Sequence, residues 1–249
     1  MSLTLYRFPG SQYSEKVRAA LDFKGLSYSV VDLAPGADQW MIYQRTGQRQ
    51  VPVLAHNGSF IHDSTAICLY LEHAFPAGRG GRRALLPDDF ALRREVLDLE
   101  DRLDALFGLP GRAVLTEQCL RDPHWLKAVG AANGVRGPGL WALRGASLGL
   151  RLGSLLPPVQ TTLDAAHAAL RGTLTELTER LARAPYLTGA EPTLADVAAA
   201  GLSLHLAWPD SAYLGVPLLR GRGIAEYVND PVLGRFFAWR ERFYREFLK

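Results

Sequence analysis

Sulfur is scarce in this 249-residue chain: Cys68 and Cys119 are its only cysteines, at no metal-ligand spacing, so neither a disulfide framework nor a metal site is expected. That usage fits a reducing cytoplasm. No uncharged apolar stretch approaches the ~20 residues of a membrane span, and Met1 to Phe8 lacks the basic start and long apolar core of a signal peptide. The expectation is a soluble protein, with membrane contact disfavoured. A large charge excess is missing too. The formal net charge is +3 and the sequence pI about 8.9, with acidic residues set between basic ones almost throughout, which argues against nucleic acid as a partner. The six histidines show no paired spacing, and no internal repeat is visible. What is present is an ordinary globular composition, 48% hydrophobic and 21% charged, long enough for one large domain or two small ones.

Leu3, Leu5 and Phe8 lie in a short β-prone run stopped by Pro9 and Gly10. Val17, Ala20, Leu21 and Lys24 then show helical spacing ended by Gly25, and Tyr28, Val30, Val31 and Leu33 form a second β run. This predicts a parallel βαβ unit. A polar stretch from Gln39 to Gly47 leads to Val51–Ala55, then Asn57-Gly58, then Phe60 and Ile61, a strong two-residue hairpin signal. Asp63 and Ser64 open a helix that stops at Pro76.

Beyond the apolar-free stretch Gly78 to Arg83, which has a linker's composition, everything reads as helical. Apolar residues recur at helix spacing from Phe90 to Leu106, ending at Gly108, and again from Leu163 to Leu181, predicting an antiparallel pair. Thr193-Leu194-Ala195-Asp196 has the form of a capping box. Asp230 as cap and Pro231 at the first position announce a last, heavily aromatic helix.

The segments Pro9 to Arg18, Gln50-Val51-Pro52-Val53-Leu54 and Asp63-Ser64-Thr65-Ala66-Ile67, followed by Tyr186-Leu187-Thr188-Gly189 and Thr193 to Asp196, together resemble the glutathione transferases over roughly three-quarters of the chain. The resemblance implies a thioredoxin-like α/β N-terminal domain, a βαβ-α-ββα mixed sheet, at residues 1–77. A linker at 78–86 and an all-α C-terminal domain at 87–249 complete the glutathione transferase architecture. It also implies glutathione as co-substrate, a small hydrophobic electrophile as second partner, a role in detoxification, and commonly a homodimer.

A free thiol has a pKa near ~8.5, and its thiolate is the attacking species, so such a site must stabilise the anion. Ser11, at the predicted start of the first helix, matches the position where Ser- and Cys-type members carry their sulfur-activating residue. It would donate a hydrogen bond to sulfur, with Ser14 as the fallback, whereas the plainer reading is a helix cap. A Tyr mechanism is disfavoured, because Arg7 stands where that hydroxyl would be and Tyr6 should face the other side of the strand. Thiol–disulfide chemistry of the Cys type needs a cysteine where Ser11 stands, which leaves conjugation, isomerisation and peroxide reduction open.

The resemblance further implies a cis bond at Val51-Pro52 that leaves Val51 facing the cysteinyl part of glutathione. Gln50 would hold the glycyl end, Asp63 and Ser64 the γ-glutamyl end, and Arg49 would supply a counter-charge. Thr193 and Asp196 belong to folding, and Cys68 reads as an inert buried thiol.

Between Gly108 and Pro158 the chain is longer than most members of that family. From His124 to Leu163 it has no acidic residue, while Lys127, Arg136, Arg144 and Arg151 alternate with Trp125, Leu140, Trp141, Leu148, Leu152 and Leu155. A lid over the electrophile pocket, an amphipathic docking surface, and extra helical packing with a basic rim all fit. A non-catalytic binding or scaffolding protein on the same fold is the alternative to an enzyme.

Overall fold

The first strand, β1 (Leu3–Arg7), alternates buried and half-buried residues, because successive side chains point to opposite faces of a sheet covered on both sides. The structure, a computed structural model, describes residues 2–34, 37–135, 139, 154, 156–211 and 214–248. β1 pairs in parallel with β2 (Tyr28–Asp32) and antiparallel with β3 (Val53–His56), which in turn pairs with β4 (Ser59–His62), giving the order β2-β1-β3-β4. Asn57 and Gly58 close the β3–β4 hairpin with φ of 50° and 84°, the left-handed conformation that a two-residue turn of this type requires.

On one face, Leu3, Leu5 and Leu54 join the core beneath α1 (Gln12–Phe23) and α3 (Ser64–Ala74). On the other, Val53 packs with Leu33 and Ile42 of α2 (Ala37–Thr46), with Tyr6 against them. This is the mixed sheet that the sequence pattern predicts. Tyr6 does point away from α1, and its hydroxyl accepts from Arg45 at 3.1 Å.

The helical part comprises α4 (Phe90–Arg121), α5 (Pro123–Ala132), α6 (Pro157–Arg183), α7 (Leu194–Leu202), α8 (Ala225–Val228) and α9 (Gly234–Phe247) among the described residues. α4 and α6 pack along one another, and α7 sits between α1 and α4. Two boundaries differ from the sequence expectation. α4 does not stop at Gly108 but continues through Pro110, because its buried stripe Leu103, Phe107, Val114 and Leu115 runs unbroken across both residues. Packing outweighs local propensity there. The last helix starts at Gly234, while Asp230 caps only the turn before it, accepting from the amides of Val232 and Leu233. The capping box forms as expected: the Asp196 carboxylate accepts from the Thr193 amide at 2.9 Å and from the Leu187 amide at 2.8 Å.

α7 meets α1 at Gly201. A Cβ placed there would lie 2.6 Å from both the Cα and N atoms of Lys16. Gly201→Ala would gain up to ~1 kcal/mol of helix propensity, but backbone cannot yield as a side chain can, and overpacking typically costs 1–3 kcal/mol. The expected net loss is up to about 2 kcal/mol, read as a lower urea midpoint with an unchanged m-value.

Candidate active site

Pro9 and Gly10 end β1, and the turn that follows presents Ser11 as the N-cap of α1 at φ −90° and ψ 119°. The Ser11 hydroxyl accepts from the Ser14 amide at 3.3 Å. A hydroxyl has one proton to give and two lone pairs, so this capping bond leaves its proton free for a second partner. The two roles read from the sequence, cap and donor, are therefore compatible at one atom. The amides of Gln12 and Tyr13 have no partner among the described residues and add the positive end of the helix at the same place.

Ser11 faces a cleft of about 1340 Å³ between the sheet domain and the helices. Arg49, Gln50, Val51, Pro52, Asp63 and Ser64 line the same cleft, so all seven candidate residues meet in one place. The Val51–Pro52 bond is cis. Val51 lies just outside the β1–β3 ladder, which begins at Val53, and its amide has no partner among the described residues. The Gln48 side chain clamps Gln50, accepting from its amide at 2.7 Å and donating to its carbonyl at 2.9 Å. The Arg49 guanidinium lies over the Tyr43 ring, 5.2 Å from its centroid.

At the head of α3 the cap is Asp63, not Ser64: its carboxylate accepts from the Ala66 amide at 2.9 Å. Asp63 holds φ at 72°, which turns the chain sharply out of β4. With the cap supplied by its neighbour, Ser64 keeps its hydroxyl and amide free at the cleft wall. Ser14, the fallback, is buried with no partner for its hydroxyl among the described residues, and it does not line the cleft. Arg7 is tied to Asp32 at 2.7 Å.

Several cleft residues escaped the sequence reading because nothing local marks them. Asp104 of α4 reaches the cleft beside Ser64 while accepting from Lys16 at 2.7 Å. Tyr13 lies against α4 at Gly108, where a Cβ would come within 2.4 Å of its hydroxyl. Burial, and then Asp104, raise the pKa of that phenol, which keeps it a hydrogen-bond donor. Cys119 also lines the cleft, but burial pushes its thiol up to about 12, as it does that of Cys68. Neither is a thiolate at neutral pH.

His205, from the turn after α7, sets its Nε2 3.0 Å from the Gly10 carbonyl. A carbonyl only accepts, so Nε2 carries the proton and the buried Nδ1 is left with an unpaired lone pair. Burial lowers the imidazole to about 4 from 6.5. As pH falls from 6.5 towards 4 the unfolded chain takes up this proton and the folded one does not, so stability falls across that window. The full shift corresponds to about 3 kcal/mol. Urea titrations at several pH values should show that loss in the parent protein and its absence in His205→Gln.

The long basic and aromatic stretch falls largely outside the described residues: Arg136, Leu140, Trp141, Arg144, Leu148, Arg151, Leu152 and Leu155 all lie there. Its three readings stay as they were. No group of metal-binding side chains occurs among the described residues, and no helix among them is long and apolar enough to cross a membrane.

Two family models match the chain, one described as the glutathione S-transferase N-terminal domain at residues 5–80 and one as its C-terminal domain at residues 160–245. Among curated relatives, the probable glutathione S-transferase GSTU6 of Oryza sativa subsp. japonica is 32% identical over 80 residues, 32% of this chain and 34% of its own. Protein LigF of Sphingobium sp. (strain NBRC 103272 / SYK-6) is 36% identical over 92 residues, 35% of each chain. The matched stretches thus span about a third of those relatives' length. In three dimensions the similarity extends over the whole chain: the crystal structure of the β-etherase LigF from Sphingobium sp. strain SYK-6 aligns with 100% of this chain and 97% of its own at a TM-score of 0.69 and 25% identity. A rice transferase, OsGSTU1, solved in complex with glutathione, shares the fold at a TM-score of 0.59 and 21% identity, over 98% of this chain and 88% of its own. With both halves matched in order and the same fold throughout, the chain belongs to the glutathione transferase superfamily.

Proposed function

We propose that the protein is a glutathione transferase of the Ser type, in which Ser11 stabilises the glutathione thiolate for attack on a small hydrophobic electrophile. The observation that carries this is the Ser11 hydroxyl, its proton uncommitted, opening onto the cleft that Val51, Pro52, Asp63 and Ser64 also line.

The tripeptide is held from three sides. Val51 offers its free amide to the cysteinyl backbone, as one strand does to another. Ser64, with the free amides at the head of α3, takes the γ-glutamyl carboxylate, and Asp104 and Asp63 face its ammonium. Gln50 and Arg49 stand at the mouth for the glycyl end. Sulfur then falls at the start of α1. The thiol gives its proton to solvent, the thiolate forms the new S–C bond, and the electrophile's leaving group departs with the electron pair. LigF is named a β-etherase, which adds an ether C–O bond to the bonds such a thiolate would break here. The homodimer and cytoplasmic setting of the family go with this reading.

A charged hydrogen bond contributes roughly 1.5–3 kcal/mol and a helix N-terminus about 0.3–1, which lowers the thiol pKa by one to three units. Ultraviolet titration of the thiolate of bound glutathione should show that drop. Glutathione bound with its thiol at the free value of ~8.5 would mark a binding module and refute the enzyme.

A further inference from the structure

Arg112 stands one turn beyond Gly108 on α4, on the wall shared by the main cleft and a second, largely apolar cavity of about 860 Å³ between α4 and α6. Its backbone carbonyl accepts from the Thr116 hydroxyl, but its guanidinium makes no hydrogen bond or ion pair among the described residues, which sets it apart from the other charges nearby. Asp104, two turns before it, is taken by Lys16 and Thr65. Glu117, beyond it, is taken by Arg121 at 2.6 Å and His167 at 2.7 Å. No acid can come from residues 124–163, since that part of the sequence contains none. Its field nevertheless reaches into the cleft, where it partly offsets the rise in the Tyr13 pKa and adds to the fall that burial causes at His205. His205 is neutral and adds no positive charge of its own.

On the same wall the cleft carries the apolar residues Leu109, Leu115, Leu120, Leu126 and Val129, with Thr116 one turn beyond Arg112. A guanidinium with no counter-ion at the wall of a partly enclosed cleft draws an anion of matching geometry, and a carboxylate meets it with two parallel hydrogen bonds. Glutathione does not fill this role in the reading above, because its two carboxylates go to Ser64 and to the Gln50 side. The remaining occupant is the second substrate.

We infer that the electrophile carries an anionic group, and that Arg112 selects it by pairing with that group while the body of the molecule lies against the apolar wall. The inference rests on the proposed function, and it makes Arg112 a specificity-determining residue.

The test uses two glutathione S-conjugates that differ in one place, S-(4-carboxy-2,6-dinitrophenyl)glutathione and its methyl ester, titrated calorimetrically into the parent protein and Arg112→Gln. Arg112 is exposed, so the exchange should leave the fold intact. The parent should bind the acid about tenfold more tightly than the ester, a gain kept modest by solvent screening. Arg112→Gln should erase that preference while binding the ester as before. Equal affinities in the parent, or a preference that survives in Arg112→Gln, would overturn the inference. Glutathione itself, titrated in parallel, reads the parent proposal alone. If it binds with a lowered thiol pKa and the conjugates show no preference, the transferase stands and the role of Arg112 falls. If glutathione does not bind at all, the transferase reading falls first.

Discussion

Ser11→Ala should lower kcat/KM for glutathione and a chloronitrobenzene by about 10- to 150-fold, the factor that corresponds to one charged hydrogen bond of roughly 1.5–3 kcal/mol. The pH profile locates the cause. Without the hydroxyl, the apparent pKa of kcat/KM should rise by one to two units, towards that of a free thiol. KM for glutathione should change little, since the proposed contacts to the tripeptide are at Val51, Ser64 and Asp104, which the exchange does not touch. Activity should persist above the uncatalysed rate, because the unpaired amides of Gln12 and Tyr13 remain at the proposed sulfur position. Ser11→Ala also removes the cap on the Ser14 amide, a stability loss of about 1 kcal/mol, so Ser11→Thr is the informative control. It restores a hydroxyl to the same position. Wild-type pH behaviour in Ser11→Ala would eliminate the mechanism.

Lys16→Met should be the most damaging single change to the fold, at about 3–5 kcal/mol. Lys16 is fully buried in α1 and donates to Thr65 at 3.0 Å, to Asp104 at 2.7 Å and to Glu100. Burial works against the ammonium, but its neighbours, among them Glu100 and Asp104, outweigh that and leave its pKa above the ordinary value. The cation thus joins α1, α3 and α4. Methionine fills a similar volume, so packing changes little. What remains is Glu100, 1% exposed and stripped of its counter-charge. Asp104 can turn to water more readily, its side chain being 23% exposed, but it would lose its fixed position in the cleft. Urea unfolding should therefore show a large loss for Lys16→Met and recovery of most of it in Lys16→Met with Glu100→Leu, where no fully buried charge is left unpaired and only the part-exposed Asp104 has lost its partner. Equal losses in the single and double variants would show that packing, not charge, dominates.

The sequence carried this protein's local features, because each was written in a few adjacent residues. Asn57-Gly58 announced the hairpin, since a two-residue turn of that hand needs positive φ twice. Ser11, Pro52 and Asp63-Ser64 entered as site candidates through their resemblance to the family's motifs, each a short local segment, and the fold brings those segments to one cleft. Even there the division of labour between Asp63 and Ser64 was not legible, since either side chain can cap a helix.

Other features depend on residues far apart in the chain, and only tertiary structure decided them. α4 passes through Gly108 and Pro110 because a buried stripe on either side overrides two local breakers. Gly201 is required by the backbone of Lys16, 185 positions earlier, at a distance no local pattern encodes. His205 steadies the Gly10 carbonyl, and Asp104 enters the cleft, because helices from the second half close over the first. The same holds for Arg112. Its charge is plain in the sequence, but its lack of a counter-ion becomes visible only when every acid nearby is found already engaged. Sequence fixes which groups exist and how the chain turns locally; burial and the competition for partners, which set what those groups do, are properties of the folded whole.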